Sequence, residues 1–219
     1  MSLVEQVSGS NAIYLKIVKG SFRQDVPEGT PGAKAREWEA NGSSGVKHEI
    51  TYKNLTGVIS EISTEEITFK DGKGMQVLRV KIENDGEVAV FTTETKSKFA
   101  IDFMKKLPNL KPGEVVVINP YDFEDKQGKR RTAFNLIQND QKIYSYYWDN
   151  EKGKPVNGIP SVSQEDAAEY DSDDWKTHFI KEKKFLVKAT QKLAPKFITV
   201  NSAETVSSDE EEVDDKLPF

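Results

Sequence analysis

Residues 75–93, MQVLRVKIENDGEVAVFTT, decide the fold class of this chain. Apolar side chains alternate with basic ones in the first half of the stretch: Leu78, Val80 and Ile82 against Arg79 and Lys81. Alternation with a period of two residues is typical of a β-strand that buries one face. A second apolar run, residues 87–93, follows the dipeptide Asp85-Gly86, which favours a tight hairpin turn. The stretch therefore predicts two antiparallel strands.

The residues on both sides of this hairpin extend the pattern. Strands are predicted over residues 52–62, 75–82, 87–93, 114–123 and 131–147, and a helix over residues 97–107 with Ser97 as its N-cap. Gly57 would allow the first strand to bend. Three strands, a helix and two strands is the element order of the OB-fold, a five-stranded Greek-key barrel. We therefore expect a mainly β protein with an OB-type barrel and one helix between its strands 3 and 4.

The flanking segments predict additions to this barrel. Residues 12–22 alternate like an extra N-terminal strand, whereas glycines and prolines across residues 25–45 predict a loop or mobile arm. The expected domains are an OB-fold nucleic-acid-binding domain over 1–148, an acidic linker over 149–174, a basic amphipathic C-terminal helix over 175–200 and a disordered acidic tail over 201–219. The lysine-rich segment 176–196 fits a second DNA contact, a docking helix or a solvated helix face.

Composition excludes several classes of protein. The chain has no cysteine, so it offers neither a thiol nucleophile nor a thiolate metal site, and its two histidines stand outside any metal-ligand motif. No apolar run could span a bilayer, and the N-terminus lacks the pattern of a signal peptide, which together favour a cytoplasmic protein. No motif of an enzyme site is visible. We expect no catalytic residue, no metal and no cofactor.

The charge of the chain is distributed in blocks. The net charge is -5, but residues 201–219 alone carry a net charge of -6, which leaves +1 for all other residues. The negative total therefore does not argue against a nucleic-acid partner.

Basic and aromatic side chains mark candidate contacts to a nucleic acid strand. The first group, on the outer face of the central hairpin, is Arg79, Lys81 and Phe91. The second group, around the predicted hairpin tip at residues 124–129, is Tyr121, Phe123, Lys126, Lys129, Arg130 and Arg131. Further stacking candidates are Tyr146 and Trp148, or alternatively Tyr144, together with Trp38 beside Lys34 and Arg36. Lysine and arginine bind phosphates, and aromatic rings stack on bases of any identity, so this set predicts sequence-tolerant binding of single strands.

The end of the sequence, SDEEEVDDKLPF over residues 208–219, carries a family resemblance. It resembles the acidic tip of bacterial and phage single-stranded-DNA-binding proteins, with Lys216 standing where the family usually has another acid. The resemblance implies that Asp214, Asp215, Leu217, Pro218 and Phe219 bind replication or repair proteins. The rest of the chain favours a phage-encoded or divergent bacterial type of this family. The acids also resemble a nucleic-acid backbone in charge, so the tail could occupy the protein's own groove when DNA is absent.

These observations predict a non-enzymatic protein that binds and protects single-stranded DNA during replication, recombination or repair. Its expected partners are single-stranded DNA and replication or repair proteins, with no membrane. Two alternatives stay open: an RNA-binding OB-fold protein, because stacking and phosphate contacts do not select the sugar, and a structural or adaptor protein that acts through its tail.

Overall fold

The structure is a computed structural model that describes residues 12–40, 42–68, 72 and 74–198. Its strands are β1 (Ala12–Val18), β2 (Ser21–Val26), β3 (Lys34–Ala40), β4 (Ser43–Tyr52), β5 (Leu55–Thr68), β6 (Gly74–Asn84), β7 (Glu87–Glu94), β8 (Val115–Glu124), β9 (Arg130–Gln138), β10 (Gln141–Ile143), β11 (Trp148–Asp149) and β12 (Lys154–Pro155). Its α-helices are α1 (Lys98–Lys106), α2 (Gln164–Glu169) and α3 (Ser172–Leu193), and short 3-10 turns follow at Leu107–Asn109 and Ala194–Phe197. The protein is therefore mainly β, with a C-terminal helix.

Ten strands form one open sheet in the order β10-β9-β8-β5-β6-β7-β1-β2-β4-β3. Strands β5, β6 and β7 form an antiparallel meander, and β1 pairs with the other edge of β7 in parallel. The closed five-stranded barrel that the element order led us to expect is not found. The edge of β7 is occupied by β1 and not by a later strand, and the sheet continues from β1 through three more strands. Four strands, not one, therefore precede β5.

The N-terminal region folds as two hairpins. The single strand predicted over residues 12–22 is wrong, because Lys19 and Gly20 turn with φ of 49° and 71° and separate β1 from β2. The loop or arm predicted over residues 25–45 is also wrong, since residues 25–26 end β2 and residues 34–40 and 43–45 belong to the paired strands β3 and β4. A Cβ on Gly20 would lie 2.5 Å from the amide nitrogen of Asp122. The sheet thus curves enough to bring the β1–β2 turn against β8.

The central elements agree with the sequence pattern. Asp85 and Gly86 form the β6–β7 turn with φ of 48° and 83°, and Ser97 caps α1 by accepting a hydrogen bond from the amide of Ala100. Strand β5 shifts register between Ile59 and Glu61. Gly57 is required for close approach, because a Cβ there would lie 2.5 Å from the carbonyl oxygen of Glu83. The order of three strands, a helix and two strands is confirmed from β5 to β9.

The core lies between the curved sheet and helices α1 and α3. Five phenylalanines form its centre, with ring centroids of neighbouring pairs 5.3 to 6.3 Å apart: Phe22, Phe91, Phe99, Phe103 and Phe134. Each fully buried phenylalanine contributes about 1.5–3 kcal/mol through removal of apolar area from water. From α3, Leu186 and Val187 join the same core. The sheet is therefore apolar on this one side.

The region after β9 is more structured than its sequence pattern predicted. The predicted strand over 131–147 ends at Gln138, where Asn139 and Asp140 turn with positive φ and lead into β10. The expected linker over 149–174 contains the β11–β12 hairpin and α2. Helix α3 begins three residues before its predicted start, because Asp171 caps it in a capping box with Asp174. The acidic tail predicted over 201–219 lies outside the described residues.

Among the described residues, no helix is long and apolar enough to cross a membrane.

Candidate functional site

The side of the sheet turned away from the core carries polar and aromatic side chains across six adjacent strands, β6-β7-β1-β2-β4-β3. Strand register places them on one side, which we call the polar face: Tyr14, Lys16, Arg23, Asp25, Arg36, Trp38, Lys47, Glu49, Arg79, Lys81 and Thr92. Two rows show the arrangement: Lys81, Val90 and Tyr14 lie side by side, and so do Arg79, Thr92, Lys16 and Arg23. Residues that are far apart in the sequence thus share one surface.

Glu49 is the electrostatic centre of the polar face. Its carboxylate is 3% exposed and accepts hydrogen bonds or ion pairs from three cations of neighbouring strands. Lys16 lies 2.9 Å away, Arg23 2.9 Å away, and Arg36 donates through two nitrogens at 2.8 and 2.9 Å. The Arg36 hydrogen bonds, followed by those from Lys16 and Arg23, hold the pKa of Glu49 well below its ordinary value, although burial acts in the opposite direction.

Cations outnumber carboxylates around Glu49. Asp25 pairs with Lys16 and lies 3.8 Å from Lys47, so two carboxylates serve four basic side chains. The four are Lys16, Arg23, Arg36 and Lys47. The Nε of Arg23 is buried and has no hydrogen-bond partner among the described residues. This part of the polar face therefore keeps a positive charge that can attract an anion.

Two aromatic rings lie beside these cations. Lys47 Nζ lies 5.4 Å from the centre of the Trp38 ring, and Gly45 gives the ring room because a Cβ there would be 3.0 Å from Trp38 Nε1. Trp38 was expected on a loop and instead lies on the edge strand β3. Tyr14 is 57% exposed and neighbours Val90 and, across it, Lys81. Tyr14 is a further member of the candidate interface, and its alternation with Ile13 and Leu15 is the sequence signal that places it on the polar side of β1.

Arg79 and Lys81 lie on the solvent side of β6, as their alternation predicts. Each has an acidic neighbour on the same surface: Arg79 lies 3.8 Å from Glu65, and Lys81 lies 2.7 Å from Glu83. Their cationic charge is therefore partly balanced within the sheet.

Phe91 does not share this face, so the predicted position is wrong. Its side chain is 0% exposed and packs edge to face on Phe103, with ring centroids 6.0 Å apart. The reason is register: Phe91 pairs with Val80, whose side chain points into the core. A ring in this position cannot stack on a base without unfolding the sheet.

The β8–β9 hairpin gathers the second predicted group. Tyr121 and Phe123 lie on one side of β8 with ring centroids 5.7 Å apart, and Arg131 is opposite Phe123. Burial raises the pKa of Tyr121 above its ordinary value, whereas Phe123 is exposed. The tip turn is organised by Asp125, which accepts backbone hydrogen bonds from Gln127 and Lys129.

The two arginines of this hairpin are each matched by an aspartate. Arg130 donates two hydrogen bonds to Asp122, at 2.7 and 2.6 Å, and thereby lowers the pKa of Asp122 to about 2. Arg131 donates to Asp125 at 2.8 Å. Lys126 and Lys129, in contrast, are exposed and pair with no carboxylate of the described residues. The lysines of the tip are thus better placed than the arginines to bind an added phosphate.

The aromatic run after β10 lies against the helices. Tyr147 is its buried member and packs on Phe185 of α3, with ring centroids 5.4 Å apart. The predicted contacts Tyr146 and Trp148 are exposed, but the Tyr146 amide donates to the carbonyl of Lys105, and Trp148 lines a groove with Trp175. These two rings do not join the polar face.

The predicted partner-binding residues Asp214, Asp215, Leu217, Pro218 and Phe219 lie outside the described residues. The described part of the chain holds no group of three side chains suited to bind a metal ion. No protein-family model matches this sequence, and no curated protein matches it significantly.

Proposed function

We propose that the chain binds single-stranded nucleic acid on its polar face and that its preferred ligand is DNA. The observation that carries the proposal is the excess of cations around Glu49, beside the exposed ring of Tyr14 and the ring of Trp38. A phosphate backbone is attracted by such an excess, and each base that stacks on a ring adds about 1–3 kcal/mol whatever its identity. The continuous surface of six paired strands suits an extended nucleic-acid strand.

A divergent OB-type unit is the architecture that we propose for β5 to β9 with α1. The element order supports this assignment, and in OB-folds the surface of the middle strands binds oligonucleotides. In this chain the surface of β6 and β7 is extended by β1 to β4. The added strands bring Lys16, Arg23, Arg36 and Trp38 to the candidate interface.

The biological role that we propose is protection of single strands in replication, recombination or repair, in the cytoplasm of a bacterium or an infected host. The acidic segment with Leu217, Pro218 and Phe219 would bind replication or repair proteins, which is what its resemblance to single-stranded-DNA-binding proteins implies.

Two exposed tyrosines provide a matched test of the interface. Tyr14 is 57% exposed on the polar face, whereas Tyr144 is 55% exposed after β10, with Lys142 Nζ 5.6 Å from its ring centre. We expect Tyr14→Ala to weaken oligo-dT binding by about 5- to 150-fold, which corresponds to the loss of one stacked base, and Tyr144→Ala to leave it unchanged. Affinity is measured by tryptophan quenching at two salt concentrations.

The same titration separates the alternatives. Equal affinity for duplex and single strands, or equal losses in the two tyrosine variants, would count against the proposed interface. Tighter binding of oligo-U than of oligo-dT would assign the face to RNA. A protein that binds none of these would be a structural or adaptor protein.

A further inference from the structure

An open groove of about 620 Å³ runs between α1 and α3, on the core-facing side of the sheet. Its walls are joined by an ion pair between Lys105 of α1 and Glu182 of α3, with 2.7 Å between Nζ and Oε1. Ile101 of α1 and Phe179 and Ile180 of α3 give the groove its apolar lining.

The apolar lining is a continuation of the core stripe of α3. Leu186, Val187 and Thr190 are buried on this helix, and Phe179 and Lys183 precede them at spacings of three and four residues. Phe179 is nevertheless 57% exposed and Ile180 50% exposed, although the Trp175 ring stacks on one side of Phe179 with ring centroids 5.8 Å apart. Together with Ile101 of α1, Phe179 and Ile180 form an exposed apolar surface at the groove, which is a feature of protein interaction sites.

The rim of the groove has an excess of cations. Lys96, Lys98 and Lys183 stand around it, and its acids Asp102 and Glu182 are paired with Lys106 and Lys105. Lys96 pairs with Glu94, at 3.0 Å, whereas Lys98 and Lys183 pair with no carboxylate of the described residues. The occupant that fits this surface is a peptide that combines acidic and large apolar residues.

We propose that the acidic segment of the same chain, residues 209–219, docks in this groove. Leu217 and Phe219 contact Phe179, Ile180 and Ile101. Asp214 and Asp215 approach Lys98 and Lys183. The segment matches the groove in both respects, since residues 201–219 carry a net charge of -6 and contain Val213 among the acids and Leu217 and Phe219 after them.

The connection is long enough for docking within one chain. Ile180 lies 13 residues before the end of α3 at Leu193, about 20 Å along the helix axis. A fully extended chain advances about 3.3–3.6 Å per residue, so a connection of ten residues, the length of 199–208, can reach at most about 33–36 Å. A tether of this length holds the segment near the groove at an effective concentration in the millimolar range, which favours the chain's own groove over that of a second copy.

This docking site is independent of the proposed nucleic-acid interface. The polar face lies on the other side of the sheet, so the segment would rest on the helices and not in the groove of a bound strand. The docked segment would also be shielded from other proteins until a partner displaced it.

Disulfide trapping in the full-length chain tests the proposal. Because the sequence contains no cysteine, only the two introduced cysteines can form a disulfide. Two double variants share Leu217→Cys: one adds Ile180→Cys in the groove, and the other adds Tyr14→Cys on the polar face, where the exposed fraction is similar. Under oxidised glutathione, we expect the groove pair to close about ten times faster than the polar-face pair, at a rate that does not depend on protein concentration. Adding Phe179→Ser to the groove pair should slow closure, and circular dichroism checks that each variant is folded.

Three results would overturn the proposal. Equal rates for the two pairs would show that the segment has no preferred site. Faster closure with Tyr14→Cys would place the segment on the polar face. A covalent dimer whose formation accelerates with protein concentration would show that a second copy supplies the segment. None of these measurements involves nucleic acid, so their outcome is separate from that of the proposed function.

Discussion

The polar face and the β8–β9 hairpin are both rich in basic residues, but they balance this charge differently. On the polar face, four cations share two buried or half-exposed carboxylates. In the hairpin, Arg130 and Arg131 each have an aspartate of their own. The run Lys129-Arg130-Arg131 is the denser basic cluster in the sequence, but with Lys126 it faces three acids, Asp122, Glu124 and Asp125, which leaves an excess of one positive charge. On the polar face, four cations from four separate strands face two carboxylates, which leaves an excess of two. Pairing, and not local sequence density, therefore decides which surface attracts an anion.

The assignment of Phe91 to the core side and of Phe123 to the solvent can be tested by stability measurements. Phe91→Ala should lower the free energy of unfolding by about 3–5 kcal/mol, because it removes a fully buried ring from the phenylalanine cluster. Phe123→Ala is the matched control, since Phe123 is exposed on the hairpin, and should change stability by less than about 0.5 kcal/mol. Urea denaturation followed by circular dichroism measures both. Similar losses in the two variants would contradict the assigned faces.

Replacing Glu49, the carboxylate that three cations share, tests the difference in charge balance between the polar face and the β8–β9 hairpin. Glu49→Gln leaves three cations without a common counter-charge, and we expect it to cost about 1–3 kcal/mol of folding free energy. Asp122→Asn should cost less, because its partner Arg130 is exposed and can be hydrated by water. The comparison is made by urea denaturation at neutral pH. If Asp122→Asn is the more damaging change, Glu49 is not the centre of the polar face.

The same carboxylate should make stability depend on acid pH. The pKa of Glu49 is lowered by its cations, so its contribution is present above the unfolded value of about 4.3 and is lost as the pH falls toward the folded pKa. Wild-type protein should therefore lose more stability than Glu49→Gln between about pH 5 and about pH 3. Urea midpoints at both pH values provide the measurement. Parallel losses in the two proteins would assign the acid sensitivity to other groups.

Local features of the fold could be predicted from the sequence, because neighbouring residues encode them. The Asp85-Gly86 turn and the Ser97 cap require nothing beyond a few adjacent side chains, and both are present. The Asn41-Gly42 dipeptide is a similar hairpin signal between two runs of strand-forming residues, and it outweighs the glycines and prolines that predict a loop over residues 25–45. The pairing of β1 with β7 could not be predicted, because it joins strands about 75 residues apart and no pattern of neighbouring residues encodes it.

The misplacement of Phe91 has a more specific cause. Residues 88–91 are all apolar, so alternation alone does not show which of them face the core. A two-residue turn at Asp85-Gly86 sets Asn84 opposite Glu87, and counting outward from this pair sets Val80 opposite Phe91. Turn register, combined with the buried face of β6, was therefore sufficient to place the ring in the core. The polar face could not be predicted from the sequence, because its residues share one surface only through the order of the strands in the sheet.

The salt dependence of nucleic-acid binding can show which basic residues of the β8–β9 hairpin contact phosphates. For single strands, the logarithm of the affinity falls with the logarithm of salt concentration by about 0.7 per phosphate neutralised. Arg130 is already matched by Asp122, so removing the pair with Arg130→Ala and Asp122→Asn should leave this slope unchanged. Lys126→Ala with Lys129→Ala removes two exposed cations that pair with no carboxylate of the described residues, and should reduce the slope by as much as about 1.4 if both contact phosphates. Titration of oligo-dT over a series of salt concentrations distinguishes the two. A reduced slope for the variant with Arg130→Ala and Asp122→Asn would mean that Arg130 breaks its ion pair with Asp122 and binds phosphate. The arginines of the hairpin would then be phosphate contacts, as those of the polar face are proposed to be.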